Sequence, residues 1–129
     1  MRKVENFFRS LDNLRDIFQI EKPSGNIETA GMVALFEVCF EQSWKAMKAV
    51  LEDYGYADAK TGSPKHVIKT AYEAHMIDDE SLWLGALADR NNVTHTYNED
   101  AALAIIRNAK ERYYKMFSDL RESLEKNWL

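Results

Sequence analysis

One stretch of the chain gathers residue types that could do chemistry: Arg90, His95 and Tyr97, within Arg90-Asn91-Asn92-Val93-Thr94-His95-Thr96-Tyr97. An arginine stays cationic at any working pH and can grip a phosphate with two parallel N–H bonds. A histidine titrates near neutrality and can take or give a proton. Together they suit phosphodiester cleavage without a metal: one group activates or orients a ribose 2′-hydroxyl, the other stabilises charge on phosphorus. Tyr97 adds a phenol that could bond a phosphate or accept a modification. The spacing alone also fits a plainer role, in which Arg90 and His95 cap carbonyls at a helix end. Three residue types at fixed intervals are a weak motif by themselves.

Other chemistries find less support. The three histidines, His66, His75 and His95, show no His-x-x-x-His or Glu-x-x-His spacing on one helical face, so no metal site is expected. No glycine-rich phosphate loop or nucleophile elbow is present, and no cofactor is implied. The lone cysteine, Cys39, lies among Phe36, Val38 and Phe40 and reads as a buried, inert thiol.

The elements that must position the octapeptide read as helices. Val4, Phe7, Phe8, Leu11, Leu14 and Phe18 recur at three- and four-residue steps, which predicts a helix over about residues 2–20. A loop over 21–26 follows, with Asn26 as the expected cap. From Ile27 to Tyr54 only Gly31 interrupts a second helix, about 42 Å long at 1.5 Å per residue. Phe36, Phe40, Trp44, Met47 and Leu51 form its main apolar stripe, with Leu35, Val38, Cys39, Ala46 and Val50 beside it. Glu37, Glu41, Lys45, Lys48 and Glu52 form a charged stripe, in which Glu41 and Lys45 stand in the favourable order for an i, i+4 pair. This stripe is either a solvated face or a polar wall turned toward Arg90–Tyr97.

Ser63-Pro64 opens a short helix to about His75, with Val67, Ile68, Ala71 and Tyr72 facing the core. Asp78 or Asp79 caps the next, whose face of Leu82, Trp83, Ala86 and Leu87 leads to a half-buried Arg90. Two asparagines and a β-branched pair end it near Val93–His95. Asn98 caps the last helix, with core positions Ala102, Ile106, Ala109, Tyr113, Phe117, Leu120 and Leu124. No segment alternates like a strand. The expected fold is all-α, a single 1–129 domain: an up-down four-helix bundle with an extra short helix. The second helix carries more apolar surface than one small bundle covers, so a homodimer is expected.

Composition narrows the class. The 46% hydrophobic and 29% charged fractions are those of a soluble globular protein. A net charge of −4 argues against general attraction to nucleic-acid backbones, so any RNA must be held in a local cationic cleft. No apolar run approaches the roughly 20 residues of a membrane span. No leader is evident and cysteine is scarce; cytoplasmic residence is expected.

Four patches in register resemble one family. Arg90–Tyr97 matches the R-x4-H-x-Y signature of HEPN-domain proteins. F-E-x-x-F-E-x-x-W-K-x-x-K at Phe36–Lys48, S-P-x-x-V-I-K-x-A at Ser63–Ala71, and Trp83 seven residues before Arg90 resemble the nucleotidyltransferase substrate-binding proteins more specifically. The resemblance spans roughly residues 30–124. It implies a helical bundle similar to the substrate-binding domain of nucleotidyltransferases, dimerisation, and a separate minimal nucleotidyltransferase chain as partner. In toxin–antitoxin members, the HEPN chain is a metal-independent endoribonuclease with a site composed of Arg and His from both protomers, silenced by AMP transfer to the motif tyrosine. Carried over, Arg90 and His95 are catalytic and Tyr97 is modified; Asn91, Thr94, Lys45 and Lys48 contact nucleotide or RNA. The alternative is a non-catalytic subunit that binds nucleotide or another substrate for the transferase. A third reading is a helical scaffold without either activity.

Overall fold

The computed structural model describes residues 1–56, 59–60, 62–93 and 98–129. Among these there is no strand, and the expected helices are all present. Helix α1 (Arg2–Leu14) buries Val4, Phe7, Leu11 and Leu14. The chain then tightens into a 3₁₀ turn over Arg15–Gln19, where the apolar spacing predicts a continuing helix. Phe18 consequently leaves the core and sets its ring edge-on to Tyr114, 5.1 Å between centroids. The Lys110 ammonium donates to the carbonyls of Ile20 (2.5 Å) and Glu21 (3.2 Å) and so satisfies the orphan acceptors left there.

Helix α2 (Gly25–Asp53) starts earlier than expected. Ser24, not Asn26, occupies the cap position, and the Glu28 carboxylate accepts from the Ser24 N–H (2.7 Å) and hydroxyl (3.1 Å). A carboxylate in the first turn also complements the helix dipole. Helices α3 (Pro64–Glu73) and α4 (Glu80–Asn91) follow, capped by Ser63 and Asp79, whose side chains accept from His66 N–H and Leu82 N–H. Asn98 caps α5 (Glu99–Asn108) through the Asp100 N–H at 2.8 Å. The last helix then opens into a π turn over Ala109–Tyr113, where the Tyr114 N–H reaches the Ala109 carbonyl. It returns to α geometry in α6 (Tyr114–Ser123) and ends in a second π turn, Leu124–Trp128.

Helix α2 is the axis of the bundle: α1, α3, α4 and α5 all pack on it, and α6 returns against α1. The result is the up-down bundle with a short extra helix. At its centre Phe36 stacks on Tyr113 (5.3 Å), Trp83 meets Phe117 edge-on (5.5 Å), and Phe40 tilts against Trp83 (6.2 Å). Such rings contribute through area and through their offset and edge-on geometry. Tyr72, expected to face the core, is 43% exposed; Val38, beside the main apolar stripe of α2, is 49% exposed. Cys39 is fully buried, and desolvation pushes its thiol up to about 12, partly offset by the Ser10 hydroxyl, so it is no nucleophile.

Helices α2 and α3 end in the same way with different residues. Gly55 (φ +88°) and His75 (φ +62°) both take the left-handed conformation after the cap residue. In each case the next amide reaches five residues back: Tyr56 N–H to Leu51 and Met76 N–H to Ala71, both 2.9 Å. Glycine adopts this conformation freely, whereas a Cβ is penalised. His75→Gly is therefore expected to raise stability by about 1 kcal/mol, read as a higher urea midpoint with an unchanged slope. A lower midpoint would show that the imidazole makes a contact worth more than the strain it carries.

Candidate functional site

Helix α4 delivers Arg90 to its last turn, on the face that buries Trp83 and Ala86. The guanidinium is half-buried there, with 32% of the side chain exposed. Its Nη2 forms an ion pair with Glu41 Oε1, reaching across from α2. Its Nη1 donates to Asn91 Oδ1 at 3.2 Å. Neither contact is a main-chain carbonyl, so among the described residues Arg90 caps none. Helix α4 is closed instead by backbone bonds, the Asn92 N–H to Ala88 and Asp89 carbonyls.

Glu41 does not pair with Lys45, the i, i+4 partner that spacing favours. The carboxylate turns across the helix interface to the half-buried Arg90 instead. The rest of the charged stripe follows the helix: Lys45 and Lys48 lie about one and two turns beyond Glu41, half-buried, with no ion-pair partner among the described residues. Arg90, Asn91 and Glu41 thus form one cluster, with Lys45 and Lys48 on the helix beside it. Thr94, His95 and Tyr97 lie outside the described residues.

A cleft of about 420 Å³ lies about one turn along α2 from Glu41, lined by Thr29, Ala30, Val33 and Glu37 of α2, Val93, and Glu99 and Ala102 of α5; Arg90, Asn91 and Glu41 are not in its lining. Its described lining carries two carboxylates and no cation. Glu37, from the charged stripe, shares this cleft with Val93. Among the described residues no group of three or more His, Cys, Asp or Glu side chains could hold a metal ion. No described helix is long and apolar enough to cross a membrane.

Sequence reasoning missed the residue next door. Asp89 Oδ2 accepts from the Tyr113 hydroxyl at 2.7 Å and from Asn108 Nδ2 at 3.1 Å, and Arg112 donates to Asn108 Oδ1 at 2.8 Å. Burial, then the hydrogen bond and charge of Asp89, push the Tyr113 phenol well above its ordinary value; Arg112 opposes this weakly. The π turn is where this network attaches, so the end of α4 is tied to the widened turn of the last helix. The available signal was a phenol at a core position of the last helix, since a buried hydroxyl needs a partner.

The chain matches the family described as nucleotidyltransferase substrate binding protein like, over residues 2–126. A Thermus thermophilus protein of known crystal structure is 32% identical, with a TM-score of 0.83 over 93% of this chain and 99% of that one. A Haemophilus influenzae protein, whose structure is described as the fold of a substrate-binding domain of a nucleotidyltransferase, also superposes with a TM-score of 0.83, covering 95% of this chain and 99% of that chain at 24% identity. A Haemophilus influenzae sequence described as a probable ribonuclease HepT is 31% identical over 78 residues; the match covers 59% of this chain and 53% of that relative.

Proposed function

The chain belongs to the nucleotidyltransferase substrate-binding protein-like family, and from that membership we propose that it is the HEPN toxin of a toxin–antitoxin pair. In this reading it cleaves RNA without a metal. Arg90 binds the scissile phosphate and stabilises its charge, His95 transfers the proton, and Asn91, Thr94, Lys45 and Lys48 hold the flanking nucleotides. A minimal nucleotidyltransferase silences it by transferring AMP to Tyr97. The protein resides in the cytoplasm as a single domain.

The observation that carries this reading is the seat of Arg90. A half-buried guanidinium held by two side chains, one turn before a cleft wall at Val93 and capping no carbonyl among the described residues, is arranged as a ligand group. A described wall with Glu37 and Glu99 and no cation is a poor phosphate site in one protomer. A second copy answers that objection by adding its own Arg90 and His95. Exposed Ile27, Gly31, Ala34 and Val38 recur at three- and four-residue steps on α2 and run into the cleft wall, a face suited to such a copy.

The same acidic wall favours a second reading, a non-catalytic subunit that presents a substrate other than RNA to the transferase. One experiment separates them. Purified protein, shown by sedimentation to be a dimer, is incubated with RNA in EDTA, before and after co-expression with a minimal nucleotidyltransferase. The toxin reading expects cleavage that disappears together with the gain of one AMP mass on the Tyr97 peptide. Intact RNA with clean unmodified protein supports the presenting subunit instead.

A further inference from the structure

We propose that Glu41 is a positioning residue for Arg90, holding its guanidinium in the orientation that meets the ligand. The geometry stands by itself; its consequence for cleavage rests on the ribonuclease reading above.

The side chain of Arg90 has five N–H groups. Glu41 engages Nη2, and Asn91 takes one proton of Nη1. Among the described residues the terminal nitrogens have no further partner, and their remaining N–H groups are of the kind that grips a phosphate in a fork. The Nε of Arg90 is buried without a hydrogen-bond partner among the described residues, so orientation is set at the terminal nitrogens alone. Remove Glu41 and one anchor remains, a neutral amide on the adjacent residue. An arginine has rotamer freedom to spend, and solvent draws an unpaired guanidinium outward.

The choice of partner supports the assignment. Lys45 stands one turn along α2 in the favourable order for a surface pair, yet the carboxylate crosses the helix interface to Arg90. Glu41 is itself mostly buried, with 22% of its side chain exposed. It also offsets the cost of keeping a cation half-buried before any anion arrives. No other carboxylate forms an ion pair with Arg90 among the described residues.

The test compares Glu41→Gln, which keeps an acceptor oxygen, with Glu41→Ala, which keeps none. Two readouts are taken on the whole protein: the arginine Nε–Hε NMR signals, with that of Arg90 assigned by its loss in Arg90→Lys, and RNA cleavage kinetics in EDTA. A buried Nε–H predicts one slowly exchanging signal in the wild type. That signal is expected to persist in Glu41→Gln and vanish in Glu41→Ala. The kcat is expected to fall about 100-fold in Glu41→Ala and tenfold or less in Glu41→Gln, with KM little changed, as for a misplaced transition-state group. If Glu41→Ala does not fold, Glu41→Asp takes its place, and weakened protection with an intermediate kcat is expected. Wild-type protection of the signal in Glu41→Ala or Glu41→Asp overturns the proposal. So does equal loss of kcat in the Gln and Ala variants, which marks the carboxylate as a proton acceptor. If the wild type cleaves no RNA, the ribonuclease reading fails, while the NMR comparison still decides the role of Glu41.

Discussion

Replacing Arg90 by alanine is expected to lower the rate of RNA cleavage about 10³-fold while leaving the bundle folded. The size follows from what the guanidinium would do. Charge builds on the phosphorus oxygens only as the 2′-oxygen attacks, so a donor pair fixed beforehand acts mainly on the transition state. Lysine should not restore the rate, because a point charge on a flexible stem cannot reproduce the fork or sit between Glu41 and Asn91. Stability must be separated from chemistry, since Arg90→Ala leaves Glu41 half-buried and unpaired. That costs about 1–2 kcal/mol, discounted for partial exposure. Adding Glu41→Ala removes the stranded charge and should recover part of this loss without recovering cleavage. Urea unfolding and metal-free cleavage on the two single variants and the double variant check both statements. Cleavage by Arg90→Lys at the wild-type rate would remove the forked contact from the mechanism.

The contrast between Arg90 and Glu41 shows how much of the site was readable. Arg90 stands out because its type, its place at a helix end and the drop in helix propensity after it are all local. Its half-burial follows from spacing to Trp83 and Leu87 on one helical face. The partner of Glu41 is not local. On the sequence, Lys45 is the nearer cation, and only the docking of α4 on α2 decides otherwise. Asp89 was hidden for the same reason: its partners lie 19 and 24 residues away. His95, Thr94 and Tyr97 fall outside the described residues, so their reading still rests on the motif.

The fold divides along the same line. Ser63, Asp79 and Asn98 were legible because a cap is one side chain and a nearby amide. The start of α2 was misplaced because Ser24 and Asn26 are about equally good capping residues, and Glu28 reaching backward to Ser24 decides between them. Tyr72 was misassigned because α3 spans only ten residues. Periodicity then leaves the buried face ambiguous. The π turn at Ala109–Tyr113 leaves no mark in the apolar stripe, since Ala109, Tyr113 and Phe117 keep ordinary helical steps.

Tyr113→Phe is expected to destabilise the protein by about 1–2 kcal/mol at pH 8 and to flatten its loss of stability in alkali. The first effect is the removal of a buried hydrogen bond to a carboxylate. The second follows from the raised phenol. In the unfolded chain Tyr113 loses its proton near pH 10. In the folded chain, burial and the Asp89 carboxylate hold the proton on to higher pH. Between those values the unfolded state binds fewer protons than the folded one, so stability falls as pH rises. The contribution is complete below about pH 10 and declines above it, by about 1.4 kcal/mol per pH unit for one proton. Phenylalanine has no such proton, so the wild-type and variant curves should run parallel below pH 10 and converge above it. Urea unfolding at pH 8, 9, 10 and 11 provides the comparison, and taking the difference between the two proteins cancels the other tyrosines and lysines. The variant should also cleave RNA more slowly, by less than tenfold, because Asp89 holds the turn of α4 that carries Arg90 while Glu41 still grips the guanidinium. Curves that stay parallel to pH 11 would mean that the folded phenol titrates as freely as the unfolded one, and the clamp between the end of α4 and the π turn would then be too weak to hold Arg90 in place.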